Sequence, residues 1–334
     1  MSLTVAVIGA GTIGRSFAWL FARSGHSVRV HDPRSDLAEV VAALQADVSA
    51  DAAAEELSAD RIGAVELAET LEDAVAGARF IQESGPEDPE AKIELFSRLA
   101  ECAPDDAILA TSSSTIPAST IAAELPPAAA RRVIVGHPFN PPHLMPLVEV
   151  VPSPQTDPAV TSATVEFYRS CGRSPVVLGK EVRGFVGNRL QNALMKEAIS
   201  LVENKVVTAS ELDEVLKNSL GLRWSAVGLF EGMHLGGGEA GIRGFMDHIG
   251  RAFAAIEPLP SATGQCAKGQ SAPGQSATGQ SATEHGRPGR REAERMEEVF
   301  AQVEQAYGRR PSSGAAEARD RIQRAVLQAR SQAD

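Results

Sequence analysis

The residues best suited to chemistry lie between Gly136 and Val151, in the stretch GHPFNPPHLMPLVEVV. His137 ends an apolar run, Val133-Ile134-Val135, that reads as a strand. Pro138, Asn140, Pro141 and Pro142 then predict a rigid, non-repetitive turn rather than a helix. Leu147 to Val151 reads as a second strand with one acid, Glu149, among aliphatics. A carboxylate in a buried strand is costly without a partner. His137, twelve residues upstream and across the turn, is a candidate partner. A carboxylate-paired imidazole is held in one tautomer and stays basic enough to take a proton. The alternative is that His137 caps a strand and Glu149 pairs with an arginine. This stretch alone does not choose between the two.

A hydride acceptor for such a base would be bound upstream. Leu3 to Ile8 is a continuous apolar run, typical of a buried parallel strand. It ends in Gly9-Ala10-Gly11-Thr12-Ile13-Gly14, followed by a helical segment, Arg15 to Ser24, and a strand, Ser27 to Val30, with Asp32 just after it. This is G-x-G-x-x-G in the context it needs: strand, turn, helix, strand, acid. Gly9 allows the turn, Gly11 lets the backbone approach a pyrophosphate, and Gly14 lets helix and strand pack closely. The helix start at Thr12 and Ile13 offers N–H groups to the phosphates. Asp32, 18 residues past Gly14, has the spacing of an acid that binds the adenosine ribose hydroxyls. It would repel a 2′-phosphate, so NAD is expected over NADP, and the nearby Arg34 tempers that preference. The alternative is a glycine turn with no ligand.

The elements that position these residues alternate through the first half of the chain. Ser35 to Thr70 reads as one or two helices laid on the sheet. Between Ser35 and Asp60 stand seven acids (Asp36, Glu39, Asp47, Asp51, Glu55, Glu56, Asp60) and no lysine or arginine. Strands follow at Arg79 to Glu83 and Ile108 to Thr111, with a helix between them at Glu90 to Ala100. The second strand runs into the hydroxyl cluster Thr111-Ser112-Ser113-Ser114-Thr115. Open α/β sheets bind ligands at the carboxyl ends of their strands, although serines there also serve as helix caps. A helix at Pro158 to Ser170 and a strand at Ser174 to Leu178 complete this pattern. From Gly184-Phe185-Val186-Gly187-Asn188-Arg189 onward only helices are predicted. The expected fold is α/β: a Rossmann-type dinucleotide-binding domain over 1–183, then an all-α domain over 184–334. The imperfect pentapeptide repeat SATGQ, CAKGQ, SAPGQ, SATGQ makes 258–290 an expected disordered linker.

Composition narrows the partners. Hydrophobic residues make up 43% and charged residues 22%, ordinary for a globular protein. A net charge of -11 argues against nucleic acid or an anionic membrane surface as a partner. Cys102, Cys171 and Cys266 stand far apart, so no zinc site or other metal site is expected and a reducing compartment is. No basic leader and no long apolar run are present, which makes the cytoplasm the expected location.

Removing hydride from a hydroxylated carbon needs a base, an orienter for it, and donors that hold the oxygen. The sequence supplies His137, Glu149, Ser114 and Asn188. The glycine loop, the TSSST cluster, GHPFNPP…PLVEVV and GFVGNR, in that order, resemble the L-3-hydroxyacyl-CoA dehydrogenase superfamily over residues 3 to 250. The resemblance implies that His137 is the general base and Glu149 its orienter. It implies that Ser114, counted back from Thr120-Ile121, and Asn188 hold the substrate oxygen. IQESGPED…K at 81–92 and GLRW…GGGEAGIRGFM at 221–246 resemble more closely the branch of lambda-crystallin (L-gulonate 3-dehydrogenase) and the carnitine dehydrogenases. That branch implies NAD contacts at Glu87 and Lys92, the alternative for Lys92 being a solvated helix lysine. It also implies a homodimer formed through the helical domain. Hydroxyacyl-CoA enzymes meet the CoA phosphates with basic residues on the insertion that corresponds to 35–60. This segment has none, so a free 3-hydroxy acid is expected and an acyl thioester is the alternative. A non-catalytic, crystallin-like NAD-binding protein is a third reading, which the intact set of four residues argues against. Arg223 is a candidate grip for the substrate carboxylate, against an ion pair with Glu231 or Glu239.

Overall fold

The computed structural model describes residues 2–54, 62–257, 290–307 and 314–332. The pentapeptide repeat, the linker expected at 258–290 up to its last residue, and the acids Glu55, Glu56 and Asp60 lie outside the described residues. The chain divides into two compact units, Met1–Arg189 and Leu190–Asp334.

In the first unit, short apolar runs become eight strands: β1 (Thr4–Ile8), β2 (Ser27–His31), β3 (Val65–Leu67), β4 (Phe80–Glu83), β5 (Ile108–Thr111), β6 (Val133–Pro138), β7 (Leu147–Pro152) and β8 (Ser174–Val177). They form one sheet in the order β3-β2-β1-β4-β5-β6-β7-β8. The strands from β3 to β6 are parallel, β7 runs antiparallel to β6, and β8 is parallel to β7. Helices α1 (Thr12–Arg23), α2 (Leu37–Ala54), α3 (Leu71–Val75), α4 (Pro89–Cys102), α5 (Ala118–Ile121), α6 (Pro127–Ala130) and α7 (Pro158–Ser170) connect them, and α8 (Gly187–Glu203) begins at the end of this unit. The strand order reverses between β1 and β4, the position at which doubly wound sheets open a ligand crevice.

The segment 35–70 differs from its helical reading. It holds one long helix, α2, and then strand β3, which pairs with β2 through Val28↔Val65 and Val30↔Leu67. Three residues are too few to show a two-residue period, and a neighbouring strand decides such a segment instead. The helical part followed its pattern, since Leu37, Val40, Val41, Leu44 and Val48 are the buried side of α2.

Both sheet faces are covered. One carries Phe17, Phe21, Phe80, Phe167 and Tyr168, with the Phe80 and Phe167 rings stacked at 3.9 Å; the other carries Leu71, Phe96, Leu99, Ile121 and Phe185. Tyr168 is wholly buried, and burial pushes its hydroxyl well above the ordinary tyrosine range. That hydroxyl donates to Gln82 Oε1 at 2.6 Å and passes over β6 at Gly136, where an added Cβ would lie 2.0 Å from it. The backbone just before His137 is therefore pressed against a satisfied buried polar group.

In the second unit the described residues after α8 are helical: α9 (Ala209–Leu216), α10 (Leu222–Ala226), α11 (Leu229–Gly236), α12 (Gly241–Phe245), α13 (Arg251–Ala254), α14 (Arg290–Tyr307) and α15 (Ala315–Ser331). Thr208 and Glu211 form a capping box that starts α9.

Gly136→Ala should displace Tyr168, break its bond to Gln82 and destabilise the fold by about 1–3 kcal/mol. Urea denaturation reads this as a lower midpoint at unchanged slope; an unmoved midpoint would refute the tight contact.

Candidate active site

The loop after β1 is built on glycine for three separate reasons. Gly9 has φ +102, and a Cβ there would lie 2.7 Å from the Ser84 backbone beyond β4. A Cβ on Gly14 would lie 1.8 Å from the Gly9 carbonyl oxygen, so α1 packs directly on its own loop. Gly11 has nothing within 4 Å of an added Cβ. That open space adjoins the start of α1 at Thr12 and Ile13, where no side chain caps the N–H groups and no acid stands in the first turn. An uncapped helix start beside an open glycine suits a phosphate. The residues present therefore fit the pyrophosphate of NAD.

Asp32 follows β2, its Oδ2 accepting from Ala10 N–H at 2.6 Å and its Oδ1 from Arg34 N–H at 2.9 Å. The loop and the acid are thus fixed to each other. Arg34, placed in the sequence as a possible counterweight, directs its guanidinium to Asp36 in two bonds of 2.5 and 2.8 Å.

The antiparallel register of β6 and β7 sets His137 directly opposite Glu149. His137 Nδ1 lies 2.8 Å from Glu149 Oε2, and both side chains are buried, 5% and 2% exposed. Glu149 Oε1 accepts from the N–H groups of Val186 and Gly187 at 2.9 and 3.0 Å. Burial alone would raise the Glu149 pKa. The His137 bond and the two backbone donors outweigh it and leave the carboxyl below its ordinary value. A charged carboxylate at Nδ1 favours the Nδ1–H tautomer, which leaves the Nε2 lone pair to accept a proton. Nε2 makes no hydrogen bond to the described residues. No arginine pairs with Glu149 among the described residues, so that alternative is set aside.

The hydroxyl cluster ends β5, the strand next to β6. Its centre is Glu87, whose Oε1 accepts from Ser113 Oγ, Ser114 N–H, Thr115 N–H and Thr115 Oγ1 at 2.8–2.9 Å. Burial pushes this carboxyl up, but the Ser113 and Thr115 donors, with the charge of Lys92, bring it below its ordinary value. The Ser114 hydroxyl makes no hydrogen bond to the described residues, and neither does the Asn188 side chain at the start of α8. Lys92 is 2% exposed, which overturns the solvated-lysine alternative. Its ammonium lies 2.7 and 2.8 Å from the two oxygens of Glu83, which also accept from Gly85 N–H and Thr111 Oγ1. Arg223 lies in α10 of the second unit, exposed, and makes no ion pair with Glu231 or Glu239.

Three groups escaped the sequence reading. Glu83 sits at a strand end, where its ion pair nine residues away is invisible. The Tyr168–Gln82 bond joins residues 86 apart. His143, in the turn after His137, has its Nδ1 2.8 Å from Ser16 Oγ on α1, and its own N–H donates to that oxygen. Only the packed chain brings these partners together.

Comparison with known proteins identifies the family of the chain. The family described as "3-hydroxyacyl-CoA dehydrogenase, NAD binding domain" matches residues 4–182, and its C-terminal domain matches residues 184–297. An L-carnitine dehydrogenase of Streptomyces griseus is 39% identical over 250 residues, 74% of this chain and 73% of that one. A lambda-crystallin homolog of Bos taurus is 38% identical over 275 residues, 79% of this chain and 84% of that one. Among solved structures, a 5-formyl-3-hydroxy-2-methylpyridine 4-carboxylic acid 5-dehydrogenase, described as an NAD+-dependent dismutase, superposes with TM-score 0.67 at 28% identity, covering 75% of this chain and 81% of that chain.

Gly11→Ala should cost folding stability no more than about 1 kcal/mol, the loss of a favoured helix N-cap, because its Cβ meets no protein atom within 4 Å, yet weaken NAD binding at least tenfold by filling the phosphate approach. Calorimetric titration beside thermal melting checks both; undiminished affinity would move the cofactor away from this loop.

Proposed function

The chain belongs to the 3-hydroxyacyl-CoA dehydrogenase family, and on that premise we propose that it oxidises a free 3-hydroxy acid at C3, with His137 as general base. It is an NAD-dependent oxidoreductase, and bound NAD supplies the hydride acceptor. The observation that carries the assignment of the base is the buried His137–Glu149 pair at 2.8 Å. His137 Nε2 takes the proton of the substrate hydroxyl as C3 gives up hydride. The Ser114 hydroxyl and the Asn188 amide donate to the oxygen as it becomes a carbonyl. Glu149 holds the ring and stabilises the imidazolium that forms. Asp32 would take the adenosine ribose hydroxyls. Glu87 would act on the cofactor side mainly by shaping the 113–115 turn, and Lys92 by neutralising Glu83 beneath it.

The free-acid reading rests on α2. Its exposed charges Glu39, Asp47 and Asp51 are all acidic, so a polyphosphate tail passing this helix would be repelled. The S. griseus relative is named for carnitine, itself a free 3-hydroxy acid. Arg223 would pair with the substrate carboxylate, since its guanidinium makes no ion pair among the described residues. We also propose a homodimer through the second unit. Among its described hydrophobics only Val202, Ala209 and Val299 are buried, while Leu222, Phe230, Leu235 and Ile256 are each more than 60% exposed.

One assay tests the substrate reading: NADH absorbance with a panel of free 3-hydroxy acids and 3-hydroxyacyl-CoA esters. Turnover of the free acids is expected. Activity on CoA esters alone would overturn the free-acid reading, and no activity on any would favour a non-catalytic NAD-binding protein. His137→Gln should lower kcat by roughly 10²–10⁴-fold while NAD still binds. Arg223→Met should raise KM for the acid, and an unchanged KM removes Arg223 from the site. Sedimentation equilibrium should give twice the 35.1 kDa chain mass, and a monomer at micromolar concentration refutes the dimer.

A further inference from the structure

Among the described residues Glu149 makes three hydrogen bonds, and one of them reaches His137. Oε2 faces the imidazole, while Oε1 accepts from two successive backbone donors, Val186 and Gly187, at 2.9 and 3.0 Å. Those donors are aimed together because the chain enters α8 through a left-handed turn. Gly184 has φ +77, and Phe185, which is not glycine, has φ +50. A bulky side chain in that region is strained and persists only where its surroundings hold it. Here they do. Phe185 is fully buried, its ring 5.3 Å from the His137 ring and tilted 49°. Phe139 meets the same imidazole edge-on at 5.9 Å. Gly187 completes the fit, since a Cβ there would lie 2.3 Å from the Phe139 ring.

We propose that the Gly184–Phe185 turn is the positioning device of the histidine–glutamate pair. It commits one carboxylate oxygen to the start of α8, so that the other alone meets His137 Nδ1. The two oxygens of a free carboxylate are equivalent, and such a group can swing and take the imidazole with it. With Oε1 held by two N–H groups the carboxylate has one orientation, and the Nδ1–H tautomer of His137 follows from it. Asn188 comes directly after Gly187, so the same contact sets where its amide emerges relative to the base. The turn thus couples the group that takes the proton to a group that holds the oxygen. This inference rests on His137 being the base.

The test removes one donor, with the Phe185 carbonyl becoming the weaker acceptor of an ester as its one side effect. Replacing residue 186 by the α-hydroxy analogue of valine converts the 185–186 amide to an ester, deleting the Val186 N–H and keeping every side chain. The expected result is a kcat lowered roughly tenfold or more, an unchanged NAD dissociation constant, and His137 ring ¹⁵N resonances that shift toward a mixture of tautomers. Wild-type kcat with wild-type ring resonances would overturn the proposal. So would a lowered kcat with unshifted resonances, since the loss would then not run through the imidazole. Gly184→Ala supplies a genetic counterpart. Its Cβ would meet only Arg189 Cγ at 3.7 Å and Asn188 Cβ at 3.9 Å, so the backbone angle alone resists it. It should lower kcat severalfold, and Gly184→Asn, which tolerates a positive φ, should restore most of the loss. Equal activity of both variants and the parent would count against the turn. His137→Gln separates the two ideas: an active His137→Gln enzyme removes the base itself, whereas an inactive one beside a wild-type ester enzyme removes only the turn.

Discussion

A buried carboxylate must be matched by donors, and much of the first unit can be derived from how Glu149 meets that demand. Left alone in the interior its charge would cost several kcal/mol. It is matched on one side by an imidazole and on the other by two peptide N–H groups. The imidazole can be there only because β7 runs backward. Strands up to β6 are parallel, and a parallel connection needs a dozen or more residues, usually with a helix. The proline-rich segment between Pro138 and Leu147 is too short for that and forms turns instead. The chain must therefore return antiparallel, and in the observed register residue 149 faces residue 137. A slip of one position would turn Glu149 to the other sheet face, away from His137.

The carboxyl ends of β1, β2, β4, β5 and β6 are crowded with polar groups, and nearly all of these are already engaged with protein. Asp32 holds the glycine loop, Glu83 holds Lys92 and Thr111, and Glu87 gathers the 113–115 turn. A fully satisfied polar network of this kind is stiff, because any rearrangement strands a group in low dielectric. Against that background the exceptions carry meaning. His137 Nε2, the Ser114 hydroxyl and the Asn188 amide make no hydrogen bonds to the described residues, and the start of α1 has no side-chain cap. Rigid scaffolding around a few unspent donors and acceptors is what a preorganised site requires.

What could be read from the sequence follows the range of the forces involved. The glycine loop was legible because each glycine answers a backbone constraint within a few residues: a positive φ at Gly9, a close approach at Gly14, an open face at Gly11. His137 and Glu149 were legible as a candidate pair because one short turn separates them. Strand β3 was not, because three residues carry no period and pairing with β2 decides them. Lys92 had two readings in the sequence, a cofactor contact or a solvated helix residue. The second fails because its partner, Glu83, comes from a different element. The left-handed Phe185 was equally hidden, since nothing in GFVGNR says that a phenylalanine will take a conformation that favours glycine.

The choice of NAD also follows from which charges are strong where they stand. Arg34 lies near the position a 2′-phosphate would take and could be read as an invitation to it. Its two bonds to Asp36 weaken that case only slightly, since both partners are substantially exposed and such surface pairs contribute little. Asp32 weighs more. Its carboxylate is half-buried and tied to the Ala10 and Arg34 N–H groups, so it cannot swing away from an incoming phosphate. A fixed negative charge at that point repels a second one across a few ångströms, whereas a ribose hydroxyl can donate to it. The same logic extends along α2, where Glu39, Asp47 and Asp51 are unrelieved by any cation on the helix. At physiological salt such charges are felt over about 8 Å, so the repulsion is local to this rim.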